Sequence, residues 1–480
     1  MRFSPKPGRD LRGPLRSFPS MMVVAAVLLA LGVARRASMM REEGGEAPLE
    51  VGEPRRPHSV LLVTVDTLRA DRLGLHGHVR DTSPWLDAFA ERATVFENAT
   101  TPRSKTTPAI ASMLTGLYPH HHGVRTLYQP LPPERVTLAE ILDAAGYETT
   151  AFVSNFVLRS DFSGFERGFD LYDDRLPTRE PNRPVFERTA KETCDAVRDW
   201  ISAGPRTPFF VWIHLIDPHG PYLPPRRVFE PTSSRPLPEG TIPEYQDTGS
   251  DDLEDYVARY DGEIRHADEE IGALFTDLSR AGFLEDAVFL FTADHGEGFG
   301  EHGEWFEHGA DVFEPCARIP FVLRVPGGRG AGTRVRAPVS LVDVVPTILD
   351  ALGLRTNLRF DGVSLLPMLE RPDDGEGVRY LEKENELRAV RSSDRKVVAT
   401  LDRGRVARID RFDLRSDPGE TNPLPAAGDP LWERLESLLR QYAARSFDAD
   451  LLAGSLLREN ASRLDPETAS ALRALGYLGR

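Results

Sequence analysis

The chain has 480 residues, of which 40% are hydrophobic, enough to bury one large core or two modest ones. A formal net charge of -15 excludes a surface that binds polyanions over the whole protein, and no nucleic-acid motif or internal repeat is present. Of the two cysteines, Cys194 continues the apolar stripe of Ala190, Val197 and Ile201, so both Cys194 and Cys316 are read as buried free thiols rather than a disulfide.

At the N-terminus, Arg2, Lys6, Arg9, Arg12 and Arg16 precede the apolar run Met21 to Ala34, which Arg35 and Arg36 follow. The run has the length of a signal-peptide core, and counted from Phe18 it borders on a spanning helix. A removed signal peptide and an uncleaved signal anchor both remain open. Either places the rest of the chain outside the cytoplasmic membrane, in the periplasm or facing outward from an anchor. The expected division is a basic signal segment over 1–36, a linker over 37–57, a main domain over 58–372, a C-terminal α+β subdomain over 373–445 and a helical tail over 446–480.

SVLLVTV, from Ser59 to Val65, is a continuous β-branched run that predicts a strand buried on both faces. It ends at Asp66, and an acid at the carboxyl end of a parallel strand faces the crevice where open α/β sheets bind ligands. KTTPAIASMLTG, from Lys105 to Gly116, predicts a helix with Pro108 in its first turn, where the missing N–H costs nothing. The Thr106 hydroxyl then lies at the positive end of the helix dipole, which favours the oxygen of a phosphate or sulfate. Thr137 and Glu140 form a capping box ahead of a helix that stops at Gly146. Glu148 to Ser154 is the next strand, and Asn155 follows it.

FFVWIHL, from Phe209 to Leu215, predicts a third buried strand, leading into a turn, forced by Pro218 and Pro221, that carries Asp217 and His219. His214, inside the strand, is read as a satisfied core histidine. Pro224 to Ser250 is a Pro-rich surface loop, and Leu253 to Leu278 a long amphipathic helix whose Glu263 and Asp268 lie on its solvated face. Ala287 to Thr292 is a strand that delivers Asp294, His295, Gly296 and Glu297; the Gly-rich segment after it carries His302 and His308. Arg318 to Val325 is a further strand and Asp343 to Leu352 a helix. From Arg379 the pattern changes to short alternating strands, a DPGE turn, a helix from Leu431 to Tyr442 and a last helix begun by Asp465 and Pro466.

T-x-P followed by L-T-G, with Tyr118-Pro119 and His122-Gly123 behind it, resembles the signature of the sulfatase family in the alkaline-phosphatase superfamily, in a bacterial type with Thr at the nucleophile position. VDTLRADRLG is similar to that family's first metal-binding segment and the run Asp294 to Glu297 to its second, so the resemblance covers about Ser59 to Tyr442. It implies an α/β fold: a large, mostly parallel sheet sandwiched by helices, with a small antiparallel C-terminal sheet. It also implies that Asp66, Thr106, Asp294 and His295 hold one divalent cation; their mixed O and N donors suit Mn, Ca or Zn. With Asp217, His219 and His302 nearby, a second metal is conceivable.

The chain also departs from the family. Thr67 stands where many sulfatases have a second Asp, and Ile110 where they have an Arg that supports formylglycine. The family's sulfate-holding Lys and His are not recognisable, Asn155 being the nearest candidate, and His308 stands in for a later Lys. His219 resembles the substrate-contacting His, while Arg103 or Lys105 would bring positive charge to the substrate. Sulfatases of this family oxidise Cys or Ser to formylglycine, and the β-methyl of Thr forbids that aldehyde. The expected function is therefore metal-dependent hydrolysis or transfer of a phosphate mono- or diester through a covalent Thr106 intermediate. Sulfuric ester hydrolysis and a non-catalytic binding protein on the same fold are the alternatives. The expected substrate is a small-molecule, glycan or lipid-linked ester; no nucleic acid is involved, and any membrane contact runs through the N-terminal segment.

Overall fold

The computed structural model describes residues 48–182, 185–372, 377–425 and 428–461, with side chains as far as 446. The signal segment, most of the linker and the helix expected at Asp465 lie outside the described residues. The chain divides after Glu50, and the fold is that of the unit beginning at Val51.

All seven residues of β1 (Ser59–Val65) are buried, as are those of β7 (Phe209–Leu215) and β8 (Ala287–Ala293). Strands apolar at every position need cover on both faces, and helices provide it. The helices Pro84–Ala90, Ala190–Ser202 and Leu253–Arg280 pack together as one group, and Thr106–Thr115, Leu138–Ala144 and Val344–Leu352 as another. Between β1 and β7 the chain adds β2 (Thr94–Thr100), β3 (Glu148–Phe152), β4 (Leu171–Asp173) and the two-residue pair β5 (Thr178–Arg179) and β6 (Phe186–Glu187). After β8 come β9 (Phe321–Arg324) and β10 (Arg334–Ser340), and the main sheet runs β10-β2-β9-β8-β1-β7-β3-β4.

The sheet is mixed, because β9 is antiparallel to both β8 and β2 while the other pairs are parallel. A parallel neighbour needs a crossover, usually a helix, but the longest helix in the β8–β9 connection is Glu314–Ala317. The chain turns back there, which also shortens the strand expected from Arg318 to Val325.

The helix Leu253–Arg280 runs without interruption, and two of its charges are not where its periodicity placed them. Glu263 is 4% exposed and Asp268 is 5% exposed. The Asp268 carboxylate accepts hydrogen bonds from the backbone of Trp85 at 2.8 Å and Leu86 at 2.9 Å, so it caps the helix Pro84–Ala90, and burial pushes its pKa up to about 7. Helical periodicity shows which residues face a helix's own core but not that one of them serves a neighbouring helix. Asp268→Ala leaves two N–H groups without acceptors and is expected to cost about 2 kcal/mol of stability. Denaturant unfolding of the full chain measures this; an unchanged midpoint would mean that water takes over both donors.

The second sheet is an antiparallel meander of β11 (Arg379–Lys383), β12 (Leu387–Arg391), β13 (Arg395–Asp402) and β14 (Arg405–Asp413). Its core joins Val390, Val397 and Ala399 to Trp432, Leu435 and Leu439 of the helix Pro430–Ala461, which runs past the expected end at Tyr442. Ion pairs from Arg391 and the fully buried Lys396 to Glu314, and from Arg125 to Glu382, tie this sheet to the main one. Cys194 and Cys316 are free and buried. Among the described residues no helix is long and apolar enough to cross a membrane.

Candidate active site

Strand register brings the acidic ends of β1 and β8 together. Val65 pairs with Ala293, so Asp66 and Asp294 are the next residues on neighbouring parallel strands. On the other side of β1, Thr64 pairs with His214. Since alternate residues share a face, Asp66 lies on the face of Thr64 and His214. The hydrogen bond from Trp212 Nε1 to Thr64 Oγ1 at 3.0 Å fixes the same face.

Asp66, His214, Asp294 and His295 are all fully buried. Asp66, His214 and Asp294 each offer a ligand atom within 4.8 Å of the others. His295 Nε2 lies 3.7 Å from Asp66 Oδ1, 3.4 Å from Asp294 Oδ2 and 3.3 Å from Thr106 Oγ1. His214 Nε2 is 3.9 Å from Asp66 Oδ2. His295 Nδ1 is 2.9 Å from the Gly296 carbonyl and must donate to it, so Nε2 turns its lone pair towards the cluster. The Thr106 hydroxyl, in the first turn of its wholly buried helix, can donate to that lone pair.

Gly296 is demanded by close approach: a Cβ there would come within 2.1 Å of the Pro315 carbonyl oxygen. Thr67 takes a positive φ of 52°, with its N–H donating to Asp294 Oδ1 and its carbonyl accepting from Tyr260. The Thr in place of a second Asp thus still helps to hold Asp294 through its backbone.

The donor set fits a divalent cation. Burial and the charge of Asp66 push the Asp294 pKa well up, and Asp294 Oδ2 accepts no hydrogen bond. Burial pushes His214 down to about 3, so it is neutral, and neither of its ring nitrogens has a hydrogen-bond partner. Burial and the neighbouring His308 depress His295 as well. Two neutral imidazoles and two crowded carboxylates are the form such groups take around a metal. His214 is therefore not the satisfied core histidine that its place in the strand suggested. One polar residue near the carboxyl end of an apolar strand was the available signal.

Asn155 touches the cluster from behind. Its Nδ2 donates to Asp66 Oδ2 at 2.5 Å and its Oδ1 accepts from Val157 N at 3.0 Å, so its amide orients the carboxylate. A second layer stands over His295. The His308 ring stacks on it with centroids 4.4 Å apart, and His219 meets His308 edge-on at 5.4 Å. His308 Nδ1 is 3.3 Å from Glu297 Oε1, and the Tyr222 hydroxyl donates to Glu297 Oε2 at 3.1 Å; burial pushes Glu297 up to about 8. In sequence Glu297 is only part of a motif, and its link to His308 across the glycine-rich loop has no sequence signal. Lys105, just before the helix, packs against Gly309, and burial together with Arg103 lowers its pKa.

Three expected site residues are engaged elsewhere. Arg103 is 2% exposed and donates to the Gly309 carbonyl at 2.7 Å and to Glu384 at 3.1 Å, so it braces the loop instead of facing substrate. Asp217 accepts from Ala190 N at 2.6 Å at the start of the helix Ala190–Ser202 and pairs with the carboxyl of the buried Glu263. His302 stacks on Phe313 at 3.6 Å, with Nε2 3.1 Å from the Gly419 carbonyl, beside the C-terminal sheet.

The family profile described as Sulfatase matches residues 58–354, more than half of the chain. An ulvan-active sulfatase of Formosa agariphila is 28% identical over 348 residues, covering 67% of this chain and 66% of that relative, just under two thirds of its length. A multifunctional alkaline phosphatase superfamily protein of Trinickia caryophylli is 26% identical over 490 residues, covering 81% and 94%. In fold, the phosphonate monoester hydrolase of Agrobacterium radiobacter is similar with a TM-score of 0.66 at 24% identity, covering 81% of this chain and 96% of that one. Members of the family are metal-dependent hydrolases, and this chain belongs to it: it is a sulfatase-family hydrolase of the alkaline-phosphatase superfamily.

Proposed function

We propose that this hydrolase cleaves, or transfers the phosphoryl group of, a small-molecule, glycan or lipid-linked phosphate ester through a covalent bond to Thr106. The observation that carries the reading is the Thr106 hydroxyl, buried at a helix N-terminus and 3.3 Å from His295 Nε2 within the Asp66–Asp294–His214 cluster. Asp66, Asp294, His295 and His214 would hold a divalent cation, which would lower the pKa of a bound hydroxyl and draw charge from the transferring group. The chain's own residues supply the rest. The helix terminus faces the equatorial oxygens of the phosphoryl group. Asn155 holds Asp66 in place. Thr106 Oγ1 bonds to phosphorus while the bond to the alcohol breaks, and the alcohol takes up the proton that the threonine gives up. Water or a second hydroxyl then attacks the phosphothreonine and releases Thr106. From the basic N-terminus and the run Met21 to Ala34 we place this activity outside the cytoplasmic membrane.

The names of relatives, an ulvan-active sulfatase and an arylsulfatase of Clostridium perfringens among them, favour a second reading: sulfuric ester hydrolysis by an unmodified Thr106. The two part on a substrate panel. Protein stripped of metal, then given manganese, calcium or zinc, is expected to turn over 4-nitrophenyl phosphate or its bis-ester and to leave 4-nitrophenyl sulfate intact. Turnover of the sulfate alone would overturn the phosphoester reading.

A further inference from the structure

Away from Thr106, a cleft of about 870 Å³ opens between the outer edge of the main sheet and the C-terminal sheet. Arg318, Arg334 and Arg336 line it from one side and Arg415 from the other, with Glu97 and His76 between them. Including Asp394, which pairs with Arg415, its walls carry four guanidinium groups against two carboxylates, in a chain whose net charge is -15.

The guanidinium groups are held in place. Glu97 accepts from Arg334 Nε at 2.7 Å and from Arg336 Nε at 3.2 Å, and its backbone carbonyl accepts from Arg318 Nε and Nη2 at 3.1 and 3.0 Å. Arg334 Nη2 also donates to the Leu75 carbonyl at 2.8 Å. One residue thus gathers three cations that repel one another, two on its carboxylate and one on its backbone carbonyl, an arrangement that a bound anion stabilises.

His76 adds a neutral donor. Burial, with Arg318 and Arg334 beside it, pushes its pKa down to about 3. Arg318 Nη2 lies 3.5 Å from Nδ1, which puts the ring proton on Nε2, and that buried nitrogen has no hydrogen-bond partner. On a merely solvated basic face such a donor would point into water. Here it is enclosed beside the guanidinium groups.

We propose that this cleft is a second anion site, which takes a ligand bearing two or more phosphate or sulfate groups. One group would sit on the Arg318–Arg334–Arg336 wall, and Arg415 on the facing wall calls for another. The site is separate from the hydrolytic centre: β10 and β1 stand four strand spacings apart in the sheet, about 19 Å. The proposal is independent of which ester Thr106 attacks.

Titration calorimetry on the full, metal-loaded chain tests it with two probes, inositol hexakisphosphate for the phosphate source and sucrose octasulfate for the sulfate source. Arg336 and Arg415 side chains are 79% and 78% exposed, so the double variant Arg336→Ser/Arg415→Ser is expected to fold normally. It should bind the favoured probe about tenfold or more weakly, since two charge-assisted contacts are lost. Turnover of a small 4-nitrophenyl ester should stay unchanged, and Thr106→Ala should bind the probe as the parent does. Binding of one probe alone would assign the source of the anion. Equal affinity in the double variant and the parent, loss of binding in Thr106→Ala, or no binding of either probe would each overturn the proposal.

Discussion

Thr106→Ala is expected to lower ester turnover by roughly 10³-fold or more, the scale on which removal of a nucleophile acts when the rest of its machinery remains. The side chain is 2% exposed and lies in the first turn of a helix buried along its whole length, so losing one hydroxyl and one methyl disturbs little packing. Stability should fall by about 1 kcal/mol or less, the scale of the single hydrogen bond to His295 that is lost. Thr106→Ser keeps the hydroxyl and should keep measurable activity, reduced because serine loses the rotamer restriction that the β-methyl imposes. Phosphate trapped on the chain by acid quench, present in the parent and absent from Thr106→Ala, would show the covalent intermediate directly. An alanine variant within a few-fold of the parent would mean that water attacks the ester and that Thr106 only shapes the site.

The sequence carried those parts of the fold and site that depend on local chemistry. Ser59–Val65 and Phe209–Leu215 could be bounded because a strand buried on both faces is apolar at every position. The Thr137 capping box is present because both of its partners lie within one helical turn. What sequence could not carry is what one element does for another. The antiparallel placement of β9 follows from a connection too poor in helix to cross over, and the capping of Pro84–Ala90 by Asp268 joins positions far apart in the chain. His302 and His308, six residues apart on one glycine-rich segment, read alike in sequence. The positive φ of 53° at His302 sends its ring to Phe313, and His308 stacks on His295.

His214 is the strongest case of such a residue, and its replacement separates a metal ligand from a structural histidine. As a ligand it gives affinity when a cation is present and costs stability when none is. A fully buried imidazole with neither nitrogen satisfied carries a desolvation cost of about 1–3 kcal/mol in the metal-free protein. His214→Leu, of similar volume and without polar atoms, should therefore leave the metal-free protein as stable as the parent or more so. Metal affinity should fall about 100-fold, the upper end of what even an outer-shell partner is worth. At a concentration 100 times the parent's dissociation constant, the cation stabilises the parent by about 2.7 kcal/mol and a variant weakened 100-fold by about 0.4 kcal/mol. Unfolding of both proteins with and without manganese reads the two effects separately. If His214 instead serves the core, the pattern inverts: the metal-free variant unfolds earlier than the parent, and the gain on adding metal is undiminished.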